Sequence, residues 1–254
     1  MQRIGIMAAM HGELASLLQH MGQFSQPQRI GQRDYYEGEL FGTPCVLVLA
    51  RIGKVAAAAT AVTLIREFSV DAVLFTGLAG AVSPELRVGD IVIGDTFLQY
   101  DLNVSPLFPR YEVPLLGRSR FQAHSGLADA LHRSADDYLS QRFAADIPAP
   151  VRAAFGVQAP QVRRGLIISG DCFVNDRQAV HGLRVDLPDA LCVEMEGAAV
   201  AQVCHEYDVP FAVVRTVSDR ADDDAGVDFA AFLDQVASHY SAGIVRAFLG
   251  RLQG

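Results

Sequence analysis

Two carboxylates stand close together in the stretch LCVEMEGAAVAQVC, Leu191 to Cys204. Glu194 and Glu196 flank Met195 where an apolar run of strand type turns into an Ala-rich run of helix type. A buried ionised carboxylate costs several kcal/mol unless something pairs with it. At i and i+2, an extended backbone puts both on one face. Other reactive side chains sit at equivalent places, just past short apolar runs. Glu13 follows the first such run in IGIMAAMHGE, SGDCF follows Leu166–Ile168, and Arg215, Ser218 and Asp219 close VVRTVSD. ARIGK and TGLAG read as glycine turns at two further strand ends, where backbone can approach a ligand closely. Any one of these carboxylates could be a helix cap or half of a structural ion pair. For all of them together at strand ends that reading is much weaker, and the set marks a candidate ligand site.

The elements that must position this set follow from the pattern around it. Short β-branched runs recur at Ile4–Met7, Val46–Leu49, Ala72–Phe75, Ile91–Ile93, Leu166–Ile168, Leu191–Val193 and Phe211–Val214. Most are solidly apolar, as expected for strands buried on both faces. Helical stretches are expected between them at Glu13–Met21, Lys54–Phe68, Gly197–Tyr207 and Phe229–Leu252. This interleaving predicts one α/β domain over residues 1–254, a three-layer sandwich with helices on both sides of a mixed sheet. Alternation at Tyr35–Leu40 and Asp95–Tyr100 predicts some antiparallel pairing. Residues 102–160, rich in proline and polar runs, read as a long surface excursion carrying one amphipathic helix near Leu127–Phe143, a lid or interface element. In open α/β sheets ligands bind at the carboxyl ends of the strands, which is where the reactive residues lie.

Composition narrows the function. The net charge of −8 argues against general nucleic-acid binding but not against a small nucleoside, which lacks phosphates. Cys45, Cys172, Cys192 and Cys204 form no CxxC pair and read as small buried hydrophobes in a reducing compartment. The N-terminal stretch reads as strand then helix rather than a signal peptide, and no run reaches the roughly 18–20 apolar residues of a membrane span. The expectation is a cytoplasmic protein with no membrane partner. RIGKVAA lacks the glycine and hydroxyl of a phosphate-binding loop, TGLAGA is not GxGxxG, and no metal or serine-hydrolase signature occurs. The acidic run Ala221–Gly226 reads as a solvated turn rather than a metal site. Neither metal nor cofactor is expected.

The motifs IGIMAAMHGE, IGKVAAA, TGLAGAVSPELRVGDIVIGD, SGDCF, VEMEGAAVAQVC and VVRTVSD together resemble the methylthioadenosine/S-adenosylhomocysteine nucleosidases, within the wider nucleoside phosphorylase family. The resemblance runs end to end except for about 107–162. It implies a homodimeric, metal-free hydrolase of N-ribosyl bonds acting on a small adenine nucleoside. Candidate substrates are methylthioadenosine, S-adenosylhomocysteine, 5′-deoxyadenosine and aminodeoxyfutalosine. Cleavage of that bond passes through an oxocarbenium-like ribose cation, which nearby carboxylates stabilise. By resemblance Asp219 protonates N7 of the purine and Glu13 activates water. Glu196 binds the ribose hydroxyls with Met195 beside it, and Arg215 partners this acidic group and helps hold the ribose side. Glu194 is either a buried supporting hydrogen-bonder or a direct substrate contact. Ala79 and Gly80 would bind the substrate, and Phe173 and Val174 would read the adenine edge, with Phe173 stacked on it. Met10, Ile52, Val104 and Phe229 would line an apolar 5′-pocket.

Two departures matter. Leu78 stands where the family often has a serine that supports the catalytic aspartate, so Ser218 or backbone N–H groups must orient Asp219. The stretch NVSPLFPRYEVPLLG differs from the usual 5′-pocket loop, which leaves the preferred substrate open. Two alternatives stand beside the hydrolase. A phosphorylase would need cations to grip phosphate, and Glu13 occupies the strand end where relatives carry a basic turn. A nucleoside-binding module without turnover would not need the full acid, base and ribose-binding set.

Overall fold

A computed structural model describes residues 3–22, 25–219 and 229–253. The acidic run Ala221–Gly226 lies outside the described residues. The strands are β1 (Ile4–Ala8), β2 (Gln28–Ile30), β3 (Arg33–Leu40), β4 (Thr43–Leu49), β5 (Ala72–Ala81), β6 (Ile91–Gln99), β7 (Phe121–Gln122), β8 (Val162–Ser169), β9 (Ala190–Glu194) and β10 (Phe211–Asp219). The helices are α1 (His11–Gln19), α2 (Lys54–Glu67), α3 (Ser125–Gln141), α4 (Phe143–Asp146), α5 (Ala149–Ala154), α6 (Arg177–Asp186), α7 (Gly197–Glu206), α8 (Phe229–Phe232) and α9 (Ser238–Leu252), with a π-helical turn at Leu233–Ala237. Among the described residues no helix is long and apolar enough to cross a membrane.

The α/β sandwich forms because alternate residues of each central strand feed opposite apolar layers. In β1, Ile4, Ile6 and Ala8 join Leu14 and Leu17 of α1, Leu131 of α3 and Ile244 of α9. Met7 points the other way, into the layer with Ala57 and Leu64 of α2 and Ala201 of α7. Both faces are therefore apolar, which removes the alternating signal of a half-exposed strand. The sheet is mixed, as expected, with antiparallel pairing of β2, β3 and β4. It also curls. β5 pairs with β1 and β10, while Gly80 and Ala81 at its far end pair with β9. With β10–β6, β6–β8 and β8–β9, five strands close into a ring.

Three expectations need correction. TGLAG is not a turn: it continues β5 as extended backbone, because strands on both sides supply partners as far as Ala81. Residues 102–160 are not one surface excursion. Helix α3 packs in the core through Leu127, Leu131, Ala135 and Tyr138, and β7 pairs with β6, so the irregular part between elements is 100–120. The polar run around it hid this, since His124 belongs to the helix cap, accepting at Nδ1 from the N–H of Leu127 (3.3 Å). The stretch Phe229–Leu252 is helical but interrupted by the π turn.

Candidate active site

The carboxyl ends of the strands converge on a cavity of about 200 Å³. Its wall is Ala9 and Met10 after β1, Ile52 after β4, Leu78, Ala79 and Gly80 in β5, and Cys172, Phe173 and Val174 after β8. Among the described residues, Val193, Glu194, Met195 and Glu196 at the end of β9, Ser218 and Asp219 closing β10, and Phe229 opening α8 also line it. Twelve of the fifteen residues expected at the site thus share one cavity. Glu13 and Arg215 are fully buried and are not part of its wall. Val104 also stands apart, in the loop after β6, where its carbonyl accepts from the N–H of Leu107 (3.0 Å).

The carboxylate of Glu194 is fully engaged. Arg215 donates to its Oε2 from Nη2 (2.6 Å) and Nε (3.2 Å). The N–H of Gly197, first in α7, donates at 2.8 Å, the N–H of Glu196 at 3.2 Å, and the Ser169 hydroxyl closes on Oε1. The carboxylate thereby satisfies orphan donors at the N-terminus of α7 and meets the positive end of its dipole. Of the two roles left open for Glu194, the geometry supports the buried hydrogen-bonder. Arg215 lies over the Phe75 ring (4.1 Å) and also donates to the Val214 carbonyl. It braces Glu194 from behind instead of reaching the cavity. Burial works against its charge, but Glu194 and Glu196 overbalance that and raise its pKa.

Glu196 is the more available carboxylate. It lines the cavity, and its Oε1 accepts from the N–H of Gly53 (3.0 Å). Burial, then the charge of Glu194, pushes its carboxyl up to about 7, against the pull of Arg215 and the N–H of Gly53. Asp219 lines the same cavity, half-buried, and its Oδ2 accepts from the Ser218 hydroxyl (2.7 Å). Ser218 thus supplies Asp219 with a hydroxyl donor, which the Leu78 side chain does not carry. Glu13 sits three residues into α1, where its Oε2 accepts from the N–H of Met10 (3.2 Å). Burial raises its pKa, opposed in order by the Ser241 hydroxyl, the charge of Arg215, the Met10 N–H and the Thr76 hydroxyl.

Sequence reasoning missed the residues that hold these groups in place. Gly77 is required by Arg215: a Cβ there would lie 2.8 Å from Nη1 and 3.0 Å from Cζ. Lys54 ties three loops together, its Nζ meeting Asp101 (2.6 Å) while its N–H donates to Asp171 (2.8 Å), and Asp101 in turn accepts from the Asp171 N–H (2.9 Å). That clamp holds the turn bearing Phe173 against the turn bearing Gly53. Its one sequence signal was the GK and GD dipeptides at strand ends. Cys172, expected to be buried, is exposed on the cavity wall, whereas Cys45, Cys192 and Cys204 are buried as expected. Burial pushes the Cys45 and Cys204 thiols up to about 12.

Residues 3–250 match the family model described as the phosphorylase superfamily. The chain is 36% identical over 242 residues to the 5′-methylthioadenosine/S-adenosylhomocysteine nucleosidase of Anoxybacillus flavithermus, covering 94% of each. Its fold is similar to the crystal structure of that nucleosidase from Neisseria meningitidis in complex with methylthio-immucillin-A, with a TM-score of 0.85, 34% identity, and 99% of this chain and 100% of the other covered. It is also similar to futalosine hydrolase of Helicobacter pylori, with a TM-score of 0.83, 27% identity and 98% of each chain covered. Sequence match and fold agree: the chain belongs to the methylthioadenosine/S-adenosylhomocysteine nucleosidase family of the phosphorylase superfamily.

Proposed function

We propose that this protein hydrolyses the N-glycosidic bond of 5′-substituted adenine nucleosides and releases adenine. The observation that carries the reading is that Glu196 and Asp219 line one small, mostly apolar cavity, Glu196 accepting from the Gly53 N–H and Asp219 from the Ser218 hydroxyl. Asp219, oriented by Ser218, protonates N7 and makes adenine a neutral leaving group. Glu196 holds the ribose hydroxyls and, with the Glu194–Arg215 pair behind it, offsets the cation that develops on the ribose. Glu13 takes a proton from the attacking water, and its burial moves its basicity toward neutrality. Phe173 stacks on adenine. Met10, Ile52 and Phe229 receive the 5′-group, and each buried CH₂ of an alkylthio substituent there stabilises by about 0.8 kcal/mol.

Phosphorolysis fits less well. Among the described residues of the wall none is lysine or arginine, and Arg215 is buried and bonded to Glu194. The test is ultraviolet detection of free adenine from methylthioadenosine with and without phosphate. Phosphate-independent release that falls on the order of 10²- to 10⁴-fold in Asp219→Asn supports the reading. Release that requires phosphate would sink it.

The working form in this reading is a cytoplasmic homodimer. Leu107 and Leu115 in the loop after β6 are largely exposed, as are Ile52 and Phe173 beside the cavity, and apolar surface of this kind marks interfaces. That loop, with Val104, then closes the partner's 5′-pocket. A fully active monomer in light scattering at micromolar concentration would rule this out.

A further inference from the structure

Two buried hydroxyls meet Glu13, and neither belongs to the set expected from the sequence. Ser241, on α9 and 228 residues away along the chain, has its Oγ 2.8 Å from Oε1 of Glu13. Thr76, on β5, has its Oγ1 2.8 Å from Ser241 Oγ and 3.4 Å from the same carboxylate oxygen. All three side chains are buried. An ionised carboxylate only accepts, and each hydroxyl carries one hydrogen. The two shortest contacts form a chain in which Thr76 donates to Ser241 and Ser241 donates to Glu13. The other oxygen of Glu13 accepts from the Met10 N–H (3.2 Å), so the carboxylate is fixed at both ends.

The approach of Ser241 depends on the π turn at Leu233–Ala237, four residues before it. Such a turn inserts a residue and re-phases the helix beyond it, and π turns concentrate at functional sites. The same helical stretch thereby offers Phe229 to the cavity wall and Ser241 to Glu13.

We infer that Ser241, backed by Thr76, is a positioning residue that holds the Glu13 carboxylate in the orientation needed to take a proton from water. The inference rests on the nucleosidase reading with Glu13 as the base. Facing Glu13 are the Met10 N–H from α1, Thr76 from β5, Ser241 from α9 and the charge of Arg215 from β10. Donation from Ser241 favours the ionised form, so losing it moves the acidic limb of the kcat profile to higher pH.

The test compares adenine release from methylthioadenosine by the wild type, Glu13→Gln, Ser241→Ala, Ser241→Thr and Thr76→Val across the pH range. Ser241→Ala is expected to lower kcat on the order of 10- to 100-fold with KM within about threefold, and to shift the acidic limb upward. Ser241→Thr, which restores a hydroxyl, recovers most of the rate. Thr76→Val keeps the shape and lowers kcat by about 3- to 10-fold with the same direction of shift. It carries the test alone should Ser241→Ala not fold. If Ser241→Ala keeps its rate and its profile while Glu13→Gln is inactive, the inference is wrong and the nucleosidase reading stands. If Ser241→Thr is as impaired as Ser241→Ala, packing rather than the hydroxyl is at work and the inference is again wrong. A wild type that releases no adenine overturns both.

Discussion

Glu196 ties stability to pH in a direction opposite to an ordinary salt-bridged carboxylate. Burial and the neighbouring Glu194 raise its pKa from 4.5 to about 7. The folded protein therefore holds this proton more tightly than the unfolded chain. The stabilisation is complete below the unfolded value of 4.5 and is lost as pH rises through the folded value near 7. A shift of that size corresponds to about 3 kcal/mol. Glu196→Gln mimics the protonated form at every pH. Subtracting its stability from that of the wild type removes the contribution of all other titrating groups. Urea unfolding across this range should show the wild type losing ground to the variant by about 1.4 kcal/mol per pH unit within the window and by nothing outside it. By thermal melting the full change is on the order of 6–12 °C for a chain of this size. Above neutrality the variant gains this much relative to its standing in acid, while losing ribose binding and hence activity. Parallel stability curves for the two proteins would refute the reasoning, since Glu196 would then titrate alike folded and unfolded.

Other perturbations probe the supports of the site. Glu194→Gln leaves Arg215 buried without its charge partner and should destabilise by about 3–5 kcal/mol, read from the urea midpoint; a change under about 1 kcal/mol would mean that Arg215 is held by other groups. Gly77→Ala places a methyl group 2.8 Å from Arg215 Nη1 and should cost about 1–3 kcal/mol together with a loss of kcat. An unchanged melting curve would show that Arg215 has room to move. Lys54→Met removes the Nζ contact with Asp101, leaving only the backbone bond to Asp171, and should raise KM about 3- to 10-fold with little effect on kcat. Steady-state kinetics in which kcat falls and KM does not would place the clamp's role in the chemical step instead.

The sequence by itself determined the α/β class, the central strands and the positions of the reactive residues at their carboxyl ends. Local pattern suffices for this. Strands buried on both faces must be apolar throughout, and Glu13, Glu194, Glu196 and Asp219 fall where those runs stop. What a side chain meets across the fold is another matter, because that depends on register between segments far apart in the chain. Only the tertiary structure decided that Glu194 pairs with Arg215 and caps α7 while Glu196 faces the cavity. Spacing put the two carboxylates together but did not separate their roles. TGLAG read as a turn because its glycine and small residues carry turn propensity. In the folded chain β1, β10 and β9 flank it, and their hydrogen bonds outweigh that propensity. Helix α3 read as surface because its apolar positions are diluted by polar neighbours, and packing against α9 and the sheet draws it inward. The contact between Glu13 and Ser241 had no local trace at all. It exists because the C-terminal helix packs against α1, after a π turn that no periodicity encodes.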